Sequence, residues 1–291
     1  MPPTTYTIGF ANLSEKADFP VIVRQSLERA AAKYPNIDLI IRDNDMNDAA
    51  ALANIEEFAS IPVDLAMIYH VGERIGPTLS STLLKKKIKM IAVDIPIPPW
   101  AVYFGVNNKT SGALVGEELA KWIKMNWDGQ IQKVLVLTES RVLDFVRARS
   151  TSALESLIAG LGYTPSDIMY LEAGNDRDVS AQAVTNILHR WPNTRRIAVI
   201  GFNDETAAGA LDAAREMGRE ADIVAVGQGG NLIGQESARP HSRMIASVSY
   251  HPEQYGQQLI DLALRMLAGE RVARENFIQT ELLMAAALPQ R

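Results

Sequence analysis

Residues with hydrogen-bonding side chains stand directly after several predicted strands of this chain. Asp94 follows the fourth predicted strand, Arg149 lies in the segment after the fifth, and Asn203 follows the seventh. Carboxylates and planar amides form paired hydrogen bonds with vicinal hydroxyl groups, and an arginine fork adds charge-assisted ones. Aromatic rings cover the apolar C–H face of a sugar. These residue types therefore indicate binding of a small hydroxylated molecule, although asparagine and aspartate also favour turns without any ligand.

The candidate site consists of the segments that follow the predicted strands, because ligands of open α/β sheets bind outside the carboxyl ends of the strands. Those segments are residues 12–19, 43–45, 69–70, 94, 138–149, 172–176, 202–204, 228–231 and 249–251.

Sequence patterns for catalysis are missing. The chain has no phosphate-binding loop with a Lys-Ser/Thr ending, no dinucleotide fingerprint after the first strand and no nucleophile elbow. The glycine-rich segment 227–230 follows a strand but opens no helix, so we expect a ligand-lining turn there rather than a phosphate site. The four histidines show none of the spacings of a zinc site: His70, His189, His241 and His251. We therefore expect no catalytic residue, no metal and no cofactor.

Composition narrows the class of protein further. The chain has 291 residues, 47% of them hydrophobic, which is enough for two lobes of ordinary size. The net charge of −5 and the lack of a basic block argue against a nucleic-acid partner. The absence of cysteine excludes disulfides, thiolate metal sites and a thiol nucleophile.

The first residues bear on localisation. The start, 1–4, runs almost directly into the first predicted strand, with no basic and apolar leader. We expect either a cytosolic protein or a leader that was removed before this sequence begins. No apolar stretch approaches the ~20 residues that a membrane-spanning helix needs.

Strands and helices alternate along almost the whole chain, which predicts parallel sheets with crossover helices on both faces. Predicted strands are 6–11, 37–41, 65–69, 89–93, 133–137, 168–170, 196–201, 223–226, 244–248 and an extended 277–283. Predicted helices are 21–33, 48–60, 78–87, 111–125, 148–159, 179–191, 205–217 and 254–268. The proline-rich segment 95–100 interrupts this rhythm and is predicted to be a loop at a lobe edge.

Two Rossmann-like α/β lobes joined by a multi-strand hinge follow from this pattern. Residues 1–105 plus 251–280 are expected to form the N-terminal lobe, and residues 106–250 plus 281–291 the C-terminal lobe.

Several motifs resemble the ribose- and galactose-type members of the type I periplasmic binding proteins. The most specific is Gly201-Phe202-Asn203-Asp204-Glu205, continued by Ala208-Gly209-Ala210-Leu211. Met90-Ile91-Ala92-Val93-Asp94 resembles the family's fourth strand, and Val106-Asn107-Asn108 with the later Gly112 and Gly116 resembles its lobe crossover. The resemblance covers nearly the whole chain.

The resemblance implies which residues contact the ligand. Positions that match the family's ligand contacts are Phe19, Asp94, Arg149 and Asn203. The chain departs from the family at Pro20, Ile95, the Gln228-Gly229 pair, Tyr250 and a position near Asn175. These departures favour a ligand other than ribose, such as a different or bulkier polyol, a modified sugar or a cyclitol. With a residue at the end of the third strand added, the candidate ligand-binding residues are Phe19, Tyr69, Asp94, Arg149, Asn175, Asn203, Gln228 and Tyr250.

The function implied by the resemblance is that of a solute-binding protein. Such a protein captures a sugar, polyol or cyclitol between its lobes and delivers it to the membrane permease of an ABC transporter. We expect a monomer that acts in the periplasm. One alternative is the ligand-sensing lobe pair of a LacI-type transcription regulator, which would be cytoplasmic, and another is a sugar-processing enzyme of doubly wound fold.

Overall fold

The computed structural model describes residues 5–72, 74–239 and 241–285, and these fall into two compact units. Unit 1 comprises the described parts of Met1–Val106, Arg141–Leu143 and His251–Ile278, and unit 2 those of Asn107–Ser140, Asp144–Tyr250 and Gln279–Arg291. Besides the short 141–143 segment, the chain passes between the units after residues 106, 250 and 278. The predicted lobe boundaries, after residues 105, 250 and 280, lie beside these crossings, and the independence of the two lobes stays a prediction.

Unit 1 is built on a six-stranded sheet. Its strands are β1 (Tyr6–Asn12), β2 (Ile37–Asp43), β3 (Leu65–Ile68), β4 (Lys89–Val93), β5 (Val102–Gly105) and β11 (Glu275–Phe277). Its helices are α1 (Asp18–Ala31), α2 (Asp48–Ser60), α3 (Gly76–Lys85) and α9 (Pro252–Leu267). The strand order is β11-β5-β4-β3-β1-β2, and all neighbouring strands are parallel. β3 is buried along its whole length, as expected of an apolar strand whose sheet is covered on both faces.

Unit 2 repeats this plan. Its strands are β6 (Lys133–Thr138), β7 (Ile168–Glu172), β8 (Ile197–Ile200), β9 (Ile223–Gly229), β10 (Met244–Ser249) and β12 (Glu281–Met284). Its helices are α4 (Asn108–Trp127), α5 (Asp144–Leu161), α6 (Arg177–Arg190), α7 (Asp204–Glu216) and the short α8 (Ile233–Ser237), with a 3₁₀ turn at Glu220–Asp222. The order is β12-β10-β9-β8-β6-β7, in which β12 is antiparallel to β10 and the other pairs are parallel.

The predicted fold class, two α/β lobes with parallel sheets flanked by helices, is confirmed. Several details differ. Helix α1 begins at Asp18 rather than residue 21, and α5 begins at Asp144 rather than residue 148. Strand β5 and helix α8 were not predicted. The single extended segment expected at 277–283 is two short strands, β11 and β12, which join different sheets. Both helices open on an aspartate, which suits the positive end of the helix dipole, and this start signal was not used to place the predicted beginnings.

Among the described residues, no helix has both the length and the hydropathy needed to cross a membrane.

Candidate functional site

Asp94 is the central candidate in unit 1. It follows β4 directly and has a left-handed backbone conformation, with φ of 56°, which ends the strand. Only 6% of the residue is exposed. Its Oδ1 accepts a hydrogen bond of 2.8 Å from the hydroxyl of Tyr255 on α9. A side chain at residue 105, which is glycine, would collide with the same Oδ1, so the end of β5 leaves room for this carboxylate.

Phe19 and Tyr69 are the other unit 1 candidates. Phe19 lies in the first turn of α1, half-buried, with its ring edge-on to Tyr255 at 5.8 Å between centroids. Tyr69 follows β3 and is 6% exposed, and its main-chain oxygen accepts a bond of 3.0 Å from the side-chain Nδ2 of Asn44. Tyr255 therefore links Asp94 to Phe19. This role of Tyr255 was not predicted, because the residue lies inside a predicted helix, where a tyrosine is usually part of the core.

A small cavity in unit 1 is separate from these candidates. Its volume is about 100 Å³, and it lies among His70, the segment 95–98, the start of α3 and Leu143. Nε2 of His70 lies 2.9 Å from a carboxylate oxygen of Asp48. None of the eight predicted ligand-binding residues lines this cavity. His70 therefore pairs with Asp48 and lines a cavity that none of the predicted ligand-binding residues shares.

Arg149 is the central candidate in unit 2. It lies in the second turn of α5, and the residue is 8% exposed. Its guanidinium carbon is 4.9 Å from the ring centre of Phe202 and 5.3 Å from that of Tyr250, so both rings contact the cation. Its Nε donates a bond of 2.8 Å to Oδ1 of Asn108 on α4. Of the described residues, only Asn108 accepts a hydrogen bond from this guanidinium.

Close packing of α4 on α5 fixes the backbone of Arg149. Gly112 and Gly116 of α4 face the main chain of Arg149 and Ala153, and a Cβ on either glycine would collide with the carbonyl oxygen opposite. The Gly-x-x-x-Gly spacing places both glycines on one helix face. Glycine is needed here for close approach of two backbones, and this is the physical reason for the motif that the sequence shows.

Gln228 and Tyr250 are bonded to each other. The hydroxyl of Tyr250 donates a bond of 2.6 Å to Oε1 of Gln228, and Nε2 of Gln228 donates one of 3.3 Å to the main-chain oxygen of Arg149. Gln228 is fully buried. Its amide thus positions Tyr250 and the main chain of Arg149, and its direct contact with a ligand stays a prediction. Arg149, Tyr250 and Gln228 form one contact group.

Asn203 and Asn175 form a second group. Oδ1 of Asn203 accepts a bond of 2.9 Å from the amide of Thr206, and so caps the N-terminus of α7. Nδ2 of Asn203 donates a bond of 2.5 Å to Oδ1 of Asn175. Asn203 is adjacent in sequence to Phe202, which contacts Arg149. Unit 2 thus brings all five of its predicted residues into two adjoining groups.

Asp204 is a buried acid that was not among the eight predicted ligand-binding residues. Its Oδ2 accepts a bond of 2.9 Å from the amide of Leu232, and its Oδ1 accepts one from the hydroxyl of Ser247. The residue is fully buried, and this burial raises the pKa of its carboxyl above the ordinary value. Asp204 therefore holds the turn after β9, next to Gln228.

No group of three or more potential metal ligands occurs among the residues for which the structure gives positions.

A family model described as "Periplasmic binding protein domain" matches residues 8–271. The chain belongs to the periplasmic binding protein family. Its members are binding proteins, so the expectations that this chain belongs to that family and is not an enzyme are confirmed. The family match also agrees with the two parallel sheets described above.

Individual relatives of this periplasmic binding protein are distant but cover almost its whole length. A putative rhizopine-binding protein of Rhizobium meliloti is 26% identical over 98% of this chain and 92% of its own. The ribose import binding protein of Salmonella typhimurium is 24% identical over 91% of this chain and 86% of its own. A solved structure of an ABC transporter solute binding protein from Bacillus halodurans, with bound myo-inositol, is 20% identical, with a TM-score of 0.82 over 97% of this chain and 95% of its own.

Proposed function

We propose that this periplasmic binding protein captures a sugar, polyol or cyclitol and delivers it to the membrane permease of an ABC transporter. The names of its relatives support this class, because they include a ribose import protein and structures with bound myo-inositol and D-allose. Myo-inositol is a cyclitol, one of the ligand types that the departures from the ribose pattern favour. We further propose a periplasmic location and a monomeric state.

The geometry of Arg149 is the observation that carries the proposal. The guanidinium of Arg149 is mostly buried, and its terminal nitrogens are donors that ligand oxygens can satisfy with charge-assisted hydrogen bonds. Asn108 accepts from Nε alone. The ring and hydroxyl oxygens of a sugar or polyol supply acceptors of suitable spacing, while the rings of Phe202 and Tyr250 contribute apolar surface for the C–H groups.

Asp94 is the hydrogen-bond acceptor that we propose for the ligand in unit 1. A carboxylate accepts hydrogen bonds from sugar hydroxyls, which an arginine cannot do. We propose that Asp94 and Phe19 contact the ligand from unit 1, and that Arg149, Asn203 and Tyr250 contact it from unit 2. Tyr69, Asn175 and Gln228 are proposed as further contacts.

The proposal is tested by isothermal titration calorimetry of the protein with D-ribose, D-allose and myo-inositol. These three compounds are called the panel. A thermal-shift screen of further sugars and polyols precedes the calorimetry, because a binder at about 100 times its Kd adds roughly 2.7 kcal/mol of stability. We expect saturable binding of at least one compound, and no binding across the panel and the wider screen refutes the proposal. Small-angle scattering then tests the hinge, which predicts a smaller radius of gyration with ligand.

Transport is tested separately. Cells of the source organism that lack the gene should lose uptake of the radiolabelled compound, and the restored gene should return it. Unchanged uptake in the deletion strain would contradict delivery to a permease while leaving ligand binding intact.

A further inference from the structure

We propose that Tyr255 is a positioning residue that orients Asp94 and Phe19 for ligand binding and thereby sets the affinity of the site. This inference rests on the proposed function of the same site. It concerns a buried residue of α9 that touches two candidate ligand contacts.

The hydrogen bond from Tyr255 to Asp94 is the first observation. It joins a fully buried hydroxyl to a carboxylate oxygen at 2.8 Å, and the Asp94 residue is only 6% exposed. Hydrogen bonds to a charged acceptor are about twice as strong as neutral ones, and more so away from water. The main-chain amide of Asp94 donates a bond of 2.9 Å to the carbonyl of Phe104 on β5, which holds its backbone in the left-handed conformation beside that strand. This side-chain bond therefore contributes directly to the orientation of its carboxylate.

Protonation keeps Tyr255 a donor. Burial raises the pKa of its hydroxyl well above the ordinary value, and the nearby charge of Asp94 raises it further. The hydroxyl therefore stays protonated, and available to Asp94, at every pH at which the protein is expected to work.

The ring of Tyr255 orients its neighbours as well. It packs edge-on against Phe19 at 5.8 Å and against Phe104 of β5 at 5.3 Å, with interplanar angles of 89° and 88°. Such edge-to-face pairs favour one relative orientation of the rings. One side chain thus sets the direction of both the predicted acceptor and the predicted stacking ring of unit 1.

The helix that carries Tyr255 is held firmly. The amide of Gly256 donates a bond of 2.9 Å to the hydroxyl of Ser26 on α1, and that hydroxyl donates one of 3.1 Å to the main-chain oxygen of Pro252. A Cβ at residue 256 would collide with the backbone of Ser26, so α9 packs closely against α1 at this point. This packing gives Tyr255 a rigid base.

Calorimetry on Tyr255→Phe, with the compound of the panel that the wild type binds most tightly, tests the inference. Phenylalanine keeps the ring contacts and removes only the hydroxyl. We expect Kd to rise about five-fold or more, the scale of coupling between contacting residues. Tyr103→Phe is the matched control, since it removes a buried hydroxyl whose partners are main-chain oxygens, that of Val106 at 2.9 Å and that of Asp94 at 3.4 Å, instead of the carboxylate. We expect its Kd to change less than two-fold.

Melting temperatures separate positioning from a purely structural role. Both variants should lose stability to a similar extent, because each loses one buried hydrogen bond. A merely structural Tyr255 would lower the melting temperature and leave the Kd of the folded protein unchanged, which would overturn the inference. Equal losses of affinity in the two variants would also overturn it. If the proposed function is wrong, the wild type itself binds no compound of the panel. That result is distinct from a wild type that binds and a Tyr255→Phe variant with unchanged Kd.

Discussion

Replacing Arg149 by methionine removes the charge and the hydrogen-bonding fork from the unit 2 site while keeping an unbranched side chain. Methionine favours helices, and its sulfur packs well against aromatic rings such as those of Phe202 and Tyr250. Asn108 loses the donor that bonds its Oδ1 at 2.8 Å. We therefore expect α5 to remain folded, with a modest loss of stability of about 1–3 kcal/mol.

Arg149→Met should bind the ligand much more weakly than a variant with a substitution on the surface. Hydrogen bonds to a charged group contribute roughly 1.5–3 kcal/mol each. Asn108 accepts from Nε alone, and we propose that the ligand accepts from the terminal nitrogens of the guanidinium. A loss of about 1.5–3 kcal/mol corresponds to a Kd about 10 to 150 times higher. Two hydrogen bonds of this kind would lead to the upper end of that range.

Calorimetry of the wild type and of Arg149→Met with the tightest compound of the panel measures this change. Arg147→Ala is the matched control, because Arg147 precedes Arg149 by two residues, lies on another face of the same helix and has a side chain that is 44% exposed. We expect its Kd to stay within about two-fold of the wild type. A Kd for Arg149→Met that equals that of Arg147→Ala would refute the role assigned to Arg149.

Two further predictions concern stability. Gly116→Ala should lower the free energy of unfolding by about 1–3 kcal/mol in urea denaturation, because its Cβ would lie 2.8 Å from the carbonyl carbon of Ala153. Gly162→Ala is the comparison, since no atom lies within 4 Å of the added Cβ and only the strain of a positive φ acts. Equal losses of stability in the two variants would argue against close packing of α4 on α5. Because burial raises the pKa of Asp204 above 3.8, the folded state binds its proton more tightly, so the contribution of this carboxyl to stability falls as pH rises above about 4. Unfolding curves of Asp204→Asn should lack this part of the pH dependence, and parallel curves for the wild type and the variant would contradict it.

Local sequence patterns determined the fold class. Apolar strands such as β3 and β8 are buried on both faces, so their sequence is a short continuous run of hydrophobic residues that is visible without coordinates. The predicted helix at 48–60 has the same bounds in the structure, because Asn47 caps its start and an apolar face follows. The short strands β11 and β12 could not be separated in this way, since a strand of three or four residues gains its identity from the neighbour it pairs with.

The sequence by itself also determined which loops bear the candidate site, because the carboxyl ends of parallel strands follow from the order of elements alone. Only the tertiary structure decided the partners of each side chain. Gln228 is bonded to Tyr250 and to the backbone of Arg149, and Tyr255 reaches Asp94 across 161 residues of sequence. Hydrogen bonds act over about 3 Å, whereas residues that share a pattern can be far apart in space. Contacts between distant segments therefore become visible only once the chain is folded.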